Sequence, residues 1–111
     1  MISLYGRGFI GGNFKEMYND EVEVQERDER VPRQNNILYT ISTTHNYHVH
    51  DEITRDVDTN LRVLCETLDF CRSKDITFNF VSSWFVYGKG AHFPASEVQV
   101  CNPTGFYSIT K

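Results

Sequence analysis

The sequence predicts an α/β sandwich of three layers, in which a mainly parallel sheet of about four strands carries helices on its faces. Segments with the period of a strand alternate with segments with the period of a helix. The order along the chain is strand, helix, strand, strand, helix, strand. The 111 residues suffice for one domain with a single core.

The first half of the chain supplies three predicted strands and one helix. A short apolar segment, Ile2-Ser3-Leu4-Tyr5, ends in glycines, and apolar residues then recur at helical spacing from Phe9 to Tyr18. Residues 21–25 alternate polar and apolar side chains, as in a strand with one wet face. Residues 37–41 form a mostly apolar run, which is typical of a buried parallel strand.

The second half supplies the clearest amphipathic helix, because apolar side chains lie three or four residues apart over residues 56–71. Residues 76–81 form the fourth predicted strand, and residues 88–105 have the Gly, Pro and Asn content of a loop. The step from Val24 to Ile37 has little room for a crossover helix. The predicted sheet order is therefore second, first, third, fourth.

Composition excludes several classes of function. A net charge of -4 and a pI near 5.5 argue against nucleic-acid binding by phosphate neutralisation. No apolar run approaches the roughly 20 residues that span a bilayer, and Met1 leads directly into an apolar segment, so we expect neither a span nor a leader. Three cysteines, with Cys65 and Cys71 six residues apart, make a disulfide framework improbable and indicate a reduced, cytoplasmic protein.

A glycine turn follows the first predicted strand. The run Gly6-Arg7-Gly8-Phe9-Ile10-Gly11 has the pattern G-x-G-x-x-G between a strand and a helix, the context of a dinucleotide site. Gly6 permits the tight turn, Gly8 lets the backbone approach a pyrophosphate, and Gly11 lets helix and strand pack closely. The helix N-terminus offers free N–H groups to the anion, and Arg7 would add a charge contact. The alternative is a strand–helix turn without a ligand.

The charged stretch after the second predicted strand is the candidate ribose site. An acidic residue there would bind the ribose hydroxyls, and Glu26 is the candidate, with Asp28 behind it. The adjacent Arg27 can instead accept a 2′-phosphate, so the choice between NAD and NADP stays open. For each of these residues a solvated loop is the alternative.

A tyrosine and a lysine lie four residues apart in Tyr107-Ser108-Ile109-Thr110-Lys111. A helix would put both on one face, where the ammonium group favours the phenolate form of the tyrosine. A tyrosine in that setting can act as a general acid or base toward a sugar or alcohol hydroxyl. Ser82 and Ser83 follow the last predicted strand, at the edge where open α/β sheets bind ligands.

Together these residues resemble the extended short-chain dehydrogenase/reductase family, which includes the NAD-dependent nucleotide-sugar epimerases and dehydratases. The glycine turn looks like the family's G-x-G-F-I-G, residues 36–43 look like its strand that ends in H-L-A-A, and Asn60 looks like the asparagine that opens its central helix. Residues 82–88 are similar to its S-S-x-x-V-Y-G segment, and residues 102–111 to its N-P-x-x-x-Y-x-x-x-K segment.

The resemblance implies a Rossmann-like domain that binds NAD or NADP and exchanges a hydride with a sugar carbon. By that likeness Tyr107 is the acid/base, Lys111 holds the nicotinamide ribose, and Ser83 bonds the reacting oxygen. Thr40 and Ser42 stand in the segment that resembles H-L-A-A, which puts their hydroxyls along the cofactor.

Departures from the family pattern shape the expected function. Tyr5 stands where the family has its first glycine, Trp84-Phe85 replaces the Asp-Glu pair of sugar 4,6-dehydratases, and the sugar-binding lobe has no counterpart. One helical turn at a chain end is marginal and would not fix Tyr107 over a nicotinamide. We therefore expect a single partial NAD(P)-binding domain over residues 1–111, truncated and without a substrate domain, that is inactive by itself.

A second interpretation is a reduced, non-catalytic module that keeps the nucleotide-binding fold and assembles with copies of itself or with a partner. Apolar surface left by the missing lobe would drive self-association into an oligomer. The expected partners are thus a dinucleotide, a nucleotide-sugar and further copies of the chain. No metal site is expected, because His48 and His50 share one side of an extended segment without a third ligand.

Overall fold

The structure is a computed structural model that describes residues 1–44, 51–52 and 54–111. In these ranges four strands form one parallel sheet in the order β2-β1-β3-β4. The strands are β1 (Ile2–Tyr5), β2 (Val22–Val24), β3 (Asn36–Tyr39) and β4 (Thr77–Phe80). The predicted fold class and the predicted strand order are therefore confirmed.

The two longer helices lie where the apolar periodicity predicts them. Helix α1 (Phe9–Met17) connects β1 to β2, and a π-helical segment (Val57–Arg62) continues directly into α2 (Val63–Cys71). A 3₁₀ helix (Trp84–Tyr87) follows β4, and α3 (Phe106–Ile109) is a single turn. No helix in the described ranges has the length and apolarity that crossing a membrane requires.

The strand register builds the core on the face of the sheet below α2. Tyr5 pairs with Tyr39, and Tyr39 with Phe80, so these three side chains share that face. The rings of Tyr5 and Tyr39 stack with their centroids 5.8 Å apart, and both residues are buried together with Ile37. Partly buried apolar side chains close around them: Ile41, Val63, Leu64, Cys71, Ile76, Phe78 and Phe80.

Tyr5 is the last residue of β1 and lies directly before the glycine turn. Its ring lies in the core, and its hydroxyl donates to the Arg30 carbonyl oxygen at 3.0 Å. A side chain at the end of β1 therefore serves the core and holds the β2–β3 connector, while the glycine turn starts one residue later.

Polar contacts hold the connector between β2 and β3 in place without a crossover helix. The buried Ser3 hydroxyl oxygen accepts from the N–H groups of Arg33 at 3.1 Å and Gln34 at 2.8 Å. The Arg33 guanidinium bridges the carboxylates of Glu29 and Glu23 at 2.7 and 2.9 Å. The hydrogen bond from Arg33 holds the pKa of Glu29 below its usual range.

Candidate functional site

Two of the three motif glycines are required by close contacts around the turn. Gly6 has a φ of 97°, and a Cβ there would lie 2.7 Å from Thr40 Oγ1 and 2.9 Å from the Ile41 nitrogen. Gly11 is buried in the first turn of α1, where a Cβ would overlap the Gly6 carbonyl oxygen. These two positions fix the path of the chain from β1 into α1.

Gly8 differs, because a Cβ there would meet nothing within 4 Å. It is the N-cap of α1, and in the described part of the chain no side chain caps the amides of this first turn and no acidic residue lies in it. The first N–H groups of a helix lack partners within the helix and carry partial positive charge. The turn therefore presents open space and free donors to an approaching anion.

A crevice of about 280 Å³ lies where the carboxyl ends of the parallel strands meet α1 and α3. This edge is where open α/β sheets bind ligands. Its described lining residues are Gly8, Phe9, Ile10, Gly11, Thr40, Ser42, Thr43, Thr44, Val81, Ser82, Tyr107 and Lys111. Eight of these twelve are cofactor-binding or catalytic candidates of the sequence, and the structure brings those eight together.

The remaining candidates lie elsewhere among the described residues. Gly6 and Arg7 belong to the glycine turn but are not among the described residues that line the crevice. The Gly6 carbonyl oxygen lies 2.9 Å from Thr40 Oγ1, and Arg7 is exposed. Glu26 and Arg27 are exposed just beyond the carboxyl end of β2. Their backbone atoms shape a turn, since the Glu26 carbonyl oxygen accepts from the Glu29 N–H at 3.0 Å. The two side chains remain the candidates for the ribose or its 2′-phosphate.

Thr40 and Ser42 line the crevice, but their hydroxyl groups donate hydrogen bonds to carbonyl oxygens of the chain itself. Thr40 Oγ1 lies 2.9 Å from the carbonyl oxygens of both Tyr5 and Gly6, and Ser42 Oγ donates to the Thr43 carbonyl oxygen at 2.8 Å. A hydroxyl has one donor and two acceptor sites. Toward a ligand these two side chains therefore act as acceptors.

A buried polar network ties the segment after β3 to the helices. Asn60 Oδ1 accepts from the Thr43 N–H at 2.8 Å, and Asn60 Nδ2 donates to the hydroxyls of Thr43 and Thr110 at 3.0 and 2.9 Å. Thr43 Oγ1 in turn donates to Asp56 at 2.6 Å. All four residues are buried. Asn60 thus links the floor of the crevice to the helical turn that carries Tyr107.

Tyr107 and Lys111 both line the crevice, although Lys111 lies beyond the end of α3. Lys111 Nζ donates to the Val81 carbonyl oxygen at 2.7 Å and lies 4.8 Å from the centroid of the Phe80 ring. Burial lowers the pKa of Lys111, because desolvation disfavours the ammonium form. The Tyr107 ring stands edge-on to Phe85 with the centroids 6.1 Å apart. The two contacts of Lys111 Nζ anchor the ammonium group at the end of β4.

Of the two neighbouring serines, Ser82 lines the crevice and Ser83 is absent from its described lining. Ser83 Oγ caps the 3₁₀ helix by accepting from the Phe85 N–H at 3.3 Å. Ser82 Oγ donates to the Lys111 carbonyl oxygen at 3.1 Å. Because successive side chains of an extended segment point to opposite sides, only one of two adjacent serines faces the crevice. The sequence put both serines at this edge of the sheet and favoured Ser83 as the catalytic one, whereas Ser82 is the serine that lines the crevice.

The histidine segment of the sequence analysis, which contains His48 and His50, lies outside the described residues. Within the described ranges no group of three or more histidine, cysteine or carboxylate side chains is placed to hold a metal ion. Cys65, Cys71 and Cys101 are all free.

The fold has counterparts among solved structures. RMD from Pseudomonas aeruginosa in complex with NADPH matches 99% of this chain and 44% of its own at 19% identity, with a TM-score of 0.78. UDP-glucuronic acid 4-epimerase from Bacillus cereus in complex with NAD matches 99% of this chain and 48% of its own at 16% identity, with a TM-score of 0.77. The chain spans less than half the length of either.

By sequence the comparisons find nothing: no protein-family model matches the chain, and no curated protein does. At identities below 20% the likeness to solved structures establishes the fold alone. The chain therefore has a Rossmann-like α/β fold.

Proposed function

We propose that the chain is the NAD(P)-binding part of an extended short-chain dehydrogenase/reductase, and that it binds NAD or NADP in the crevice. The observation that carries the proposal is the uncapped first turn of α1 at Gly8, where free amides face open space. A pyrophosphate is the part of a dinucleotide that needs such donors. The two similar solved structures, in complex with NADPH and NAD, support the same choice of ligand.

The choice between NAD and NADP falls to the residues beyond β2. Glu26 would bind the ribose hydroxyls of NAD, whereas Arg27 would bind the 2′-phosphate of NADP. Both side chains are exposed. Titration with both dinucleotides separates these roles, because Glu26→Ala weakens NAD only and Arg27→Ala weakens NADP only.

The chemistry of a completed site would centre on Tyr107 and Lys111. The nicotinamide, when bound, supplies or takes the hydride. Lys111 donates one N–H to the Val81 carbonyl oxygen, which leaves two donors for ribose hydroxyls. Tyr107 would hold or release the proton at the reacting oxygen of the substrate, as a general acid or base does. Ser83 would bond that oxygen with the proton that its helix-capping hydroxyl still has to donate, and Ser82, which lines the crevice, is the alternative.

Hydride exchange with a nucleotide-sugar is proposed only for a completed site, because the chain spans less than half of the similar solved structures. For this chain by itself we propose dinucleotide binding without turnover. The three free cysteines fit a reducing compartment, so we propose a cytoplasmic location.

The experiment is calorimetric titration of NAD(H) and NADP(H) into the wild-type chain and into Gly8→Val. The valine side chain fills the space next to the first-turn amides, so we expect measurable binding to disappear while the circular dichroism spectrum is retained. Gly90→Val is the matched control, because a Cβ at Gly90 also meets nothing within 4 Å and Gly90 is not among the described residues that line the crevice. Undiminished affinity in Gly8→Val, or a wild type that binds neither dinucleotide, rejects the proposal.

A second candidate function is self-assembly of a non-catalytic module, and the exposed apolar side chains favour it. Phe9 is 88% exposed, Val98 is 91% exposed and Val100 is 82% exposed. Monomeric proteins rarely leave contiguous apolar surface uncovered. Under this proposal the chain forms an oligomer, whether or not it binds a dinucleotide.

A further inference from the structure

Asp56 is a buried carboxylate in the first turn of the helical segment that leads into α2. An aspartate at the start of a helix usually accepts hydrogen bonds from the free N–H groups of that helix. Asp56 makes no such capping bond, and its side chain instead accepts the proton of the Thr43 hydroxyl at 2.6 Å. Because Thr43 lines the crevice, the carboxylate reaches the proposed cofactor site through one hydroxyl.

The bond from Thr43 to Asp56 sets the direction of the next hydrogen bond. A hydroxyl has one proton, so Thr43 Oγ1 can only accept from its other partner, Asn60 Nδ2, which lies 3.0 Å away. The Thr43 N–H imposes the same orientation, since it can only donate and lies 2.8 Å from Asn60 Oδ1. Two independent contacts of Thr43 therefore fix which way the Asn60 amide faces.

The second N–H of the Asn60 amide extends the network to α3. It donates to Thr110 Oγ1, which lies 2.9 Å from Asn60 Nδ2. Thr110 must therefore give its own proton to the carbonyl oxygen of Phe106 at 3.0 Å or of Tyr107 at 3.1 Å. Both carbonyl oxygens belong to α3, a single turn that needs tertiary support. The chain of hydrogen bonds thus runs from Asp56 to the backbone of α3.

We propose that Asp56 is a positioning residue for Tyr107. By accepting the Thr43 proton it fixes the orientation of the Asn60 amide, and that amide holds α3, with the Tyr107 ring, at the crevice. Asp56 is not among the described residues that line the crevice, so it acts through Thr43 and Asn60. The inference deepens the proposed function, on which it rests for the part that Tyr107 plays toward a substrate.

The test measures the position of Tyr107 in the wild-type chain and in Asp56→Leu, without a dinucleotide. The first readout is the ring-current shift of the Tyr107 ring protons, because the Phe85 ring stands edge-on to that ring with the centroids 6.1 Å apart. The second readout is the hydrogen exchange of the Ile109 and Thr110 amides, which bond to carbonyl oxygens one turn earlier.

In Asp56→Leu we expect the Tyr107 ring protons to move toward the shifts of an unstructured peptide. The Ile109 and Thr110 amides should exchange about tenfold faster, since losing a buried hydrogen bond promotes local opening by about this factor. Unchanged values of both readouts in Asp56→Leu overturn the proposal.

Two controls separate positioning from a general loss of stability. Asp58→Leu makes the same change at an exposed aspartate of the same helical segment and should leave both readouts at their wild-type values. Ile37→Val removes one methyl group from the core, which lowers global stability without touching the network. It should also leave the Tyr107 shift unchanged, and a loss of that shift equal to the loss in Asp56→Leu contradicts the positioning role.

Two further variants test the hydrogen bond itself. Thr43→Val keeps the shape of the side chain but removes the proton that Asp56 accepts, so it should reproduce the effect of Asp56→Leu and decides the question if the leucine variant does not fold. Asp56→Asn keeps an acceptor oxygen for Thr43 and should retain the wild-type Tyr107 shift. A wild-type shift in Thr43→Val, or an equal loss in Asp56→Asn and Asp56→Leu, refutes the proposal.

Calorimetric titration of NAD(H) and NADP(H) distinguishes a failure of this inference from a failure of the proposed function. A wild type that binds neither dinucleotide rejects the proposed function, while the Tyr107 shift still decides whether Asp56 holds α3. Dinucleotide binding by the wild type, together with an unchanged Tyr107 shift in Asp56→Leu, rejects the inference alone.

Discussion

The path of the glycine turn depends on the absence of a Cβ atom at Gly6 and Gly11. The pattern G-x-G-x-x-G predicted separate roles for Gly6, Gly8 and Gly11; close contacts surround Gly6 and Gly11, whereas the space beside Gly8 is open. The sequence pattern did not indicate that Thr40, some thirty residues later, braces the turn through its hydroxyl. A threonine after a strand has no distinctive spacing, so only the packed sheet reveals its partner.

Neighbouring glycines in α1 provide a matched pair for a test at this scale. Gly11→Ala would force a Cβ against the Gly6 carbonyl oxygen, so we expect a loss of about 1–3 kcal/mol in the free energy of unfolding. In Gly12→Ala the nearest atom, the Arg7 carbonyl oxygen, is 3.9 Å from the new Cβ, and the better helix propensity of alanine should stabilise by up to about 1 kcal/mol. Urea unfolding of both variants measures the contrast. Equal effects would contradict the close packing inferred at Gly11.

At the scale of elements, the periodicity located the four strands and the helices α1 and α2, but neither the 3₁₀ helix nor the π-helical segment. Apolar spacing over residues 56–71 predicted one regular helix, whereas residues Val57–Arg62 are π-helical. The buried Asn60 in this segment bonds to Thr43 and Thr110 on either side. A π-helical turn is wider than an α-helical turn, and here polar partners from distant parts of the chain bond to it. The spacing of apolar residues carries no information about such partners.

We expect the Asn60 network to carry much of the attachment of α3. Asn60→Ala leaves the Thr43 N–H and the buried Thr110 hydroxyl without their amide partner, which should cost about 1–3 kcal/mol in the free energy of unfolding. The control is Asn13→Ala, whose amide makes an exposed bond to the Phe9 carbonyl oxygen and should change stability by less than about 0.5 kcal/mol. Denaturant unfolding compares the two, and a similar loss in both would refute the role of the network.

For the whole molecule, the strand order was predictable from one short connection. The connector from Val24 to Ile37 has no room for a crossover helix, which puts β2 and β3 on opposite sides of β1, as observed. The cavity of about 590 Å³ beside Trp84 and Phe93 was not predictable, because it depends on how the loop from Gly88 to Gly105 folds back on the 3₁₀ helix. Turn-forming residues predict a loop but not its path.

The molecule is also more expanded than its length requires. The radius of gyration is 15.0 Å, against about 13 Å for a compact domain of this size. With several apolar side chains exposed, we expect the sedimentation coefficient to rise with concentration across the micromolar range. The double variant Val98→Ser, Val100→Ser should suppress the rise, and Val31→Ser, at a less exposed position, should not. A constant monomeric value for the wild type would refute self-association.

The hydroxyl of Thr40 supports the glycine turn that would bind a dinucleotide. Affinity for the dinucleotide should therefore depend on whether the sheet has formed. The turn belongs to the first dozen residues, yet the Gly6 carbonyl oxygen, and the Tyr5 carbonyl oxygen just before it, each lie 2.9 Å from a hydroxyl that arrives only when β3 docks beside β1. An isolated peptide with the same glycines would lack that support. Dinucleotide titration during refolding should therefore detect the moment at which the central strand pair forms, and stay silent before it.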